Sequence, residues 1–351
     1  MRIGLVLLAA IAITLSALYL ARRLVAREVL VGWLDARGAR ADVDFQRIDL
    51  DGLVASVRVG EAGDPDFAAE RVEVDYALRG FWSSRGPGVD VRSVRLVRPV
   101  LRARWRDGVL SFGSLDRVVE ELRRRPPEPD ATKPLILVEG ARGRIDTAYG
   151  TLAVQADARV EDARLITLDA KLGPTALRGE DVRVEVAGGA LALATQGDRV
   201  NVDLRVAATA IAVGGDEAKG LRLRLAGQAP YPDLERRRGD GAVDMTLETQ
   251  FDEARLGQVS IGGLAAKAQF EGQATGWVDT LALAGPVQAS LKAARVDAGE
   301  AKVAALDLGF AGQARWTKAD WRAQGTTSGT LRGGWRGLGP PTRQDAPELA
   351  A

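Results

Sequence analysis

Residues 200–206 read Val-Asn-Val-Asp-Leu-Arg-Val. Apolar and polar side chains alternate at every position, which is the two-residue period of a β-strand. Such a strand places its valines and leucine on one face of a sheet and its polar residues on the other. The stretch therefore predicts an antiparallel strand with one apolar face and one face in water.

The same alternation recurs along most of the chain after residue 40. The clearest repeats lie at residues 43–45, 72–78, 101–105, 182–186, 221–225, 243–247 and 287–291. Glycines mark predicted turns between the runs, namely Asp51-Gly52, Asp107-Gly108, Gly140, Gly150, Gly188-Gly189, Gly197-Asp198, Gly214-Gly215, Asp240-Gly241 and Gly262-Gly263. The pattern predicts a mainly β protein of about 18 to 20 strands. Helical periodicity is scarce between the runs, which disfavours a parallel α/β sheet.

Composition excludes several classes of chemistry. The 351 residues contain neither Cys nor His, so thiol nucleophiles, disulfides, imidazole bases and histidine zinc ligands are absent. The net charge is +1, which offers no excess of cations for binding nucleic acid. We therefore expect no nucleic-acid partner, no metal and no cofactor.

An uncharged segment of 19 residues, Ile3–Ala21, lies near the N-terminus. As a helix it would span roughly 28 Å, close to the hydrocarbon core of a bilayer, so residues 1–21 are predicted to form a transmembrane anchor. The alternative is a cleaved signal peptide, which has a shorter apolar core and a small-residue cleavage site. The arginines after the segment outnumber those before it, so charge alone would leave the rest of the chain in the cytoplasm.

Helical periodicity occurs in two further places. Residues 22–38 are predicted to form an amphipathic helix that either caps the following strands or lies on a membrane surface. A short helix is predicted near 114–125, with Ser114 as its N-cap. The remaining predicted segments are a first β region at 39–125, a proline-rich linker at 126–133, a second β region at 134–336 and a polar tail at 337–351.

The alternating strands fit two architectures. Their inner faces carry mainly Ala, Val and Leu, and aromatic residues make up only 5% of the chain. A packed sandwich core usually holds more aromatic side chains. One alternative is therefore an open trough with an apolar floor, which should bind a ligand or partner. The other is a two-sheet sandwich whose inner faces pack on each other.

Four segments in the N-terminal third, read in order, resemble the AsmA-like proteins, most closely the YdbH type. They are Arg47–Leu53, Ala69–Leu78, Val91–Arg102 and Asp107–Leu115. Their pattern is a strand, a proline joint at Arg98-Pro99, a second strand, and a glycine turn at Asp107-Gly108 before a short helix. The resemblance is clearest up to about residue 130, and beyond it only the strand rhythm continues.

The resemblance implies an elongated antiparallel β-groove, the β-taco, held by a single inner-membrane helix in the periplasm of a Gram-negative bacterium. It further implies that the groove carries phospholipid towards the outer membrane and that the protein is not an enzyme. Members of this type are usually longer, so we expect a shortened version or one that needs an outer-membrane or periplasmic protein partner. The floor of the groove is predicted to include Val72, Val74, Tyr76, Leu78, Leu101, Ala103, Val200, Val202, Leu204, Leu221, Leu223 and Leu225.

Two other classes of function remain open at this point. A structural component of a secretion or outer-membrane assembly, similar to secretion N-type proteins, has one N-terminal anchor and a β-rich periplasmic part. An enzyme could use paired carboxylates among Asp42, Asp44, Asp49 and Asp51, or at Glu161-Asp162. On alternating strands such positions are mostly the solvent face.

Overall fold

The computed structural model describes residues 28, 31, 32, 34–61, 63–79, 88–106, 108–124, 133–232, 238–276, 280–299, 301–317 and 320–335. The predicted anchor at 1–21, the linker residues 126–132 and the tail at 337–351 lie outside these residues. Within the described ranges, no helix has both the length and the apolar character needed to cross a membrane. These ranges are mainly β, as predicted, and contain 17 strands.

Contacts between Cα atoms divide the chain into two units. Unit 1 comprises the described residues up to Thr147 together with Val154–Leu165. Unit 2 comprises Ala148–Ala153 and the described residues from Ile166 onward. The strands of unit 1 are β1 Ala41–Ile48, β2 Gly52–Glu61, β3 Asp64–Arg79, β4 Gly88–Arg106, β5 Val109–Ser111 and β6 Leu135–Thr147. Strands β7 (Gly150–Glu161) and β8 (Arg164–Leu172) each have residues in both units.

Unit 1 departs from the predicted all-antiparallel pairing at one place. Strands β1 to β4 pair antiparallel in chain order, but β6 runs parallel to β4, with Val94 beside Ile136 and Leu96 beside Val138. A parallel pair needs a long crossover rather than a tight turn. Here β5, a 3-10 turn at Gly113–Leu115, helix α1 (Asp116–Arg124) and the segment after it provide that crossover.

The helical elements cover the first strands of unit 1. One buried cluster joins Leu34, Ala39 and Val59 to Val118 of α1, and a second is made by Val43, Phe45, Ile48 and Ala55. Val31 packs against the second cluster. The described part of the predicted 22–38 helix therefore caps the β1–β2 face.

Polar contacts hold α1 in this position. The Arg37 guanidinium donates to both carboxylate oxygens of Glu121, at 2.5 and 2.7 Å. The prediction that Ser114 is an N-cap is wrong, because its N–H and hydroxyl both donate to Asp66, at 2.9 and 2.7 Å. Asp116 instead accepts from the Phe112 N–H at 2.5 Å. Ser114 thus ties the helix start to β3 rather than closing the helix itself.

The predicted proline joint at Arg98-Pro99 is a bend inside β4 and does not separate two strands. Arg98 has a φ of 47°, a left-handed conformation that is unusual for a residue with a side chain. Its guanidinium Nε donates to Glu70 of β3 at 2.6 Å, and Pro99 is buried. The ion pair between β3 and β4 is thus made by Arg98, the residue whose backbone is strained.

Unit 2 is an antiparallel meander of long strands. Its remaining strands are β9 Thr175–Arg178, β10 Val182–Gln196, β11 Arg199–Val213, β12 Asp216–Pro230, β13 Gly241–Leu256, β14 Val259–Thr275, β15 Ala282–Ala298, β16 Ala301–Thr317 and β17 Trp321–Trp335. Each strand from β10 to β17 pairs with the next. Both β8 and β9 pair with the other side of β10.

Three predicted turns lie inside strands, which explains why the strands are longer and fewer than expected. Gly140 is within β6, Gly188-Gly189 within β10 and Gly262-Gly263 within β14. Gly140 and Gly263 have φ values of 61° and 64°. A glycine with positive φ permits a β-bulge as readily as a turn, so glycine alone does not distinguish the two.

The bulges of unit 2 form one row across neighbouring strands, which we call the bulge row. The register places Thr209, Gly220, Asp252, Gly263 and Ala294 opposite one another. The apolar residues on either side of the row stand three positions apart instead of two, as in Ala208/Ile211, Leu221/Ala218, Phe251/Ala254, Leu264/Ile261, Ala293/Val296 and Leu306/Val303. Because each strand carries one extra residue at the same level, the pairing register is the same on both sides of the row.

The buried clusters of unit 1 give a stability prediction. Val43 is 1% exposed, so Val43→Asp would bury an uncompensated charge and lower the free energy of unfolding by about 3 kcal/mol or more. The same substitution at Val89, which is 53% exposed in β4, should change it by about 0.5 kcal/mol or less. Thermal and urea denaturation of the detergent-solubilised full chain measure the free energy of unfolding of both variants. Equal effects would show that the β1–β2 cluster is not a core.

Candidate lipid-binding face

Strands β11 and β12 bring six of the predicted floor residues onto one face. The register pairs Leu204 with Leu225 and Ala208 with Leu221, and Val206 lies opposite Leu223 between them. Val200 and Val202 continue this face along β11. Each of the six predicted residues in these two strands is partly buried. The two-residue period therefore identified both the strands and the orientation of their side chains.

This surface continues through the neighbouring strands of unit 2, and we call the whole of it the apolar face. On β8 and β10 it is extended by Leu168, Ala170, Leu191 and Leu193. From β13 onward it is extended by Met245, Leu247, Phe251, Leu264, Ala266, Ala268, Phe270, Val287, Ala289, Leu291, Leu306, Leu308 and Phe310. Cross-strand pairing makes these side chains neighbours, so the apolar surface is continuous from β8 to β16.

Within unit 2, no second layer of described strands covers the apolar face. In unit 2 the buried hydrophobic residues are Ala208, Val243, Ala254, Ala274 and Ala293, and both buried clusters lie in unit 1. Leu247 remains 38% exposed and Leu308 36% exposed, although both lie on this face. The described strands of unit 2 contact chiefly their hydrogen-bonded neighbours. A second sheet packed on this face would have buried these leucines.

The opposite face of unit 2 carries charged residues in cross-strand pairs. Asp203 accepts from Arg205 at 2.7 Å and from Arg224 of the next strand at 3.1 Å. These hydrogen bonds, the one from Arg205 first, hold the pKa of Asp203 below its usual value. Similar pairs join Glu248 to Lys267 at 3.2 Å and Lys292 to Asp307 at 3.1 Å. Pairs as exposed as these contribute little to stability, so their main effect is to keep this face in water.

The predicted floor residues of unit 1 have more varied surroundings. Val72 and Val74 pair with Ala55 and Leu53 of β2 and are partly buried. Tyr76 also has a structural contact, because its hydroxyl donates to the Asp49 carbonyl at 2.6 Å. Leu78 is 53% exposed. This part of β3 therefore runs from the edge of the capped core to an exposed end.

The two predicted floor residues of β4 lie near its C-terminal end. Leu101 pairs with Phe67 of β3 and is partly buried, while Ala103 is 4% exposed and lies beside Ile145 of β6. Ala103 therefore belongs to the packed part of unit 1.

The predicted floor included no residue of β13 to β16, although the alternation at 243–247 in β13 and 287–291 in β15 was recognised. Leu306, Leu308 and Phe310 alternate with Asp307 and Gly309, so the same two-residue period would have identified them. Ala266 and Ala268 were less visible, because alanine carries a weak apolar signal. Their place on the face follows from pairing with Leu291 and Ala289.

The carboxylates considered for catalysis do not converge. Asp42, Asp44 and Asp51 are exposed on β1 and its turn, while the Asp49 N–H donates to the Gly52 carbonyl at 2.8 Å. Within the part of the chain that the structure describes, no group of three or more acidic residues is arranged to hold a metal ion. The structural feature that calls for a ligand is the uncovered apolar face.

Comparison with known proteins identifies the family. The sequence model of a family described as YdbH-like, intermembrane phospholipid transport protein YdbH, matches residues 7–349. No curated protein and no solved structure matches the chain significantly. The family match extends over both units, well beyond the N-terminal segments that carry the resemblance in the sequence. The chain therefore belongs to the YdbH-like family of intermembrane phospholipid transport proteins.

Proposed function

We propose that this protein is anchored in the inner membrane and carries phospholipid between the inner and outer membranes on the apolar face of unit 2. The observation that carries the proposal is a continuous apolar surface on which Leu247 and Leu308 remain more than one-third exposed. Membership of a phospholipid transport family supports acyl chains as the material that covers it.

Apolar burial supplies the driving force for this binding. Each methylene group transferred from water to an apolar surface contributes about 0.8 kcal/mol. An acyl chain lying on the valines and leucines of β11 and β12 would gain this free energy without a directional contact. Successive strands each offer apolar side chains, so an acyl chain can move from strand to strand while it stays on the same face.

The orientation of the two faces suits a lipid with a charged headgroup. Acyl chains would contact the apolar face, while headgroups would project away from it into water. The ion pairs around Asp203 and Lys267 lie on the opposite face. They keep that face hydrated, so lipid is confined to one side of the sheet.

The proposed location rests on two observations. The uncharged segment Ile3–Ala21 is long enough to cross a bilayer as a helix. The family is described as one of intermembrane phospholipid transport, which supports a location in the cell envelope. In this proposal the anchor holds one end at the inner membrane, and the strands work in the periplasm as part of envelope lipid homeostasis.

A charge on the apolar face tests the lipid-carrying role. Leu225 is partly buried between Leu204 and Leu247 of its neighbouring strands. Because no second layer covers it, Leu225→Asp should leave the protein folded while interrupting the apolar surface. We expect native mass spectrometry of the detergent-purified full chain to show bound phospholipid in the wild type and several-fold less in Leu225→Asp.

The matched control introduces the same charge on the opposite face. Gln288 of β15 is exposed and pairs with Gln269 and Ala311, so Gln288→Asp should leave both the melting temperature and the lipid content unchanged. Unfolding of Leu225→Asp would indicate a filled core. Absence of lipid from the wild type, with secretion proteins co-purifying, would favour a scaffold of the secretion N type.

The proposed topology gives a separate prediction. An alkaline phosphatase fused after Pro340 should be active, because residues 22–351 would be exported while the anchor stays in the inner membrane. A cytoplasmic reporter fused at the same position should be inactive. The reverse pattern would follow the arginine distribution around residues 3–21 and would contradict transport through the periplasm.

A further inference from the structure

A shallow, open cavity lies on the apolar face over strands β13 to β16. It has a volume of about 310 Å³, at the lower end of the range for small-ligand sites. Four large apolar side chains form its walls, namely Leu247, Leu291, Leu308 and Phe310. Ala266, Ala268 and Ala289 form its floor.

The register explains why a depression forms at this place. One cross-strand row runs Leu247, Ala268, Ala289 and Phe310. Two methyl side chains therefore lie between a leucine and a phenylalanine that stand higher above the sheet. On β11 and β12 the corresponding pairs join large residues, such as Leu204 with Leu225. The cavity is thus a local feature of β13–β16.

The cross-strand row that contains the cavity is comparable in length with one acyl chain. Strands are about 4.8 Å apart, so the row from β13 to β16 spans roughly 14 Å. This length is close to half of the ~30 Å hydrocarbon core of a bilayer, which is the depth of one acyl layer. Its direction crosses the strands, and so agrees with movement of lipid from one strand to the next.

The lining chemistry favours hydrocarbon over a headgroup. Apart from the two hydroxyls of Thr249 and Thr327, the residues on the apolar side of the cavity carry no polar side-chain atoms. Lys267 and Ser290 border the cavity, but the Lys267 ammonium lies 3.2 Å from Glu248 on the polar face. An acyl chain fills such a site without leaving a buried polar group unpaired.

We propose that this cavity is a discrete seat for a single phospholipid acyl chain, which would lie on the alanine floor and against the side chains of Leu247, Leu308 and Phe310. This inference rests on the proposed lipid-carrying function and adds a fixed position to it. The chain would bury Leu247 and Leu308, which are 38% and 36% exposed in its absence. Lipid would therefore pause at this seat rather than spread evenly over the apolar face.

Photochemical labelling tests the seat. The probe is phosphatidylcholine with a diazirine midway along one acyl chain, presented in vesicles to the detergent-purified full chain. We expect the adducts, mapped by peptide mass spectrometry, to concentrate on β13–β16. Ala289→Phe, which fills the floor, should reduce this labelling several-fold. Ala311→Phe adds the same side chain to an exposed position on the opposite face of β16, and should leave the labelling unchanged.

The possible outcomes distinguish a failure of the proposed seat from a failure of the proposed lipid-carrying function. Adducts spread evenly from β10 to β16 would overturn the seat while preserving lipid carriage on the apolar face. Absence of adducts from the entire apolar face would contradict the proposed function itself. Labelling by a free fatty acid carrying the same diazirine, without labelling by the phospholipid, would also overturn the seat. If Ala289→Phe fails to fold, the adduct map of the wild-type protein still decides between these outcomes.

Discussion

The two-residue period of the β-strand governs unit 2, because it assigns every second side chain to one face of the sheet. In β12, Leu221, Leu223 and Leu225 must point one way and Arg222 and Arg224 the other. Hydrogen bonding along the meander then aligns equivalent residues of successive strands. The strands of unit 2 therefore share one apolar surface. The described strands of this unit provide no second layer to cover it. The need to cover this surface connects the fold to the binding of lipid.

The two units bury their apolar residues in different ways. In unit 1, Val118 of α1 and Leu34 pack on Val59 and give a conventional core. In unit 2, backbone ladders and cross-strand pairs hold long strands together, while large residues such as Leu308 stay partly exposed. The bulge row adds one residue to neighbouring strands at the same level, so their apolar residues stay aligned on one face. A bound acyl chain would complete the burial that a second sheet provides in a sandwich.

Sequence alone predicted the features that depend on local periodicity. Alternation in residues 200–206 and 221–225 correctly placed their apolar side chains on a shared face, and the short helix before residue 125 was also predicted correctly. Features that depend on tertiary context were missed. Gly263 was interpreted as a turn because positive φ suits turns and bulges equally, and the parallel pairing of β6 with β4 depends on a crossover that has no local signal. The N-cap prediction for Ser114 was wrong because its partner, Asp66, lies 48 positions away in the sequence. No local pattern around Ser114 indicates that contact.

Cysteine accessibility along β12 shows whether the apolar face of unit 2 is open to lipid. The chain contains no native Cys, so single variants at Leu221, Arg222, Leu223, Arg224 and Leu225 (each →Cys) report one position each. In delipidated protein we expect a water-soluble maleimide to label all five. After phospholipid is added, Leu221→Cys, Leu223→Cys and Leu225→Cys should be protected, while the two variants at the arginines remain reactive. Protection of those three positions before any lipid is added would show that protein already covers the face, and would contradict the account.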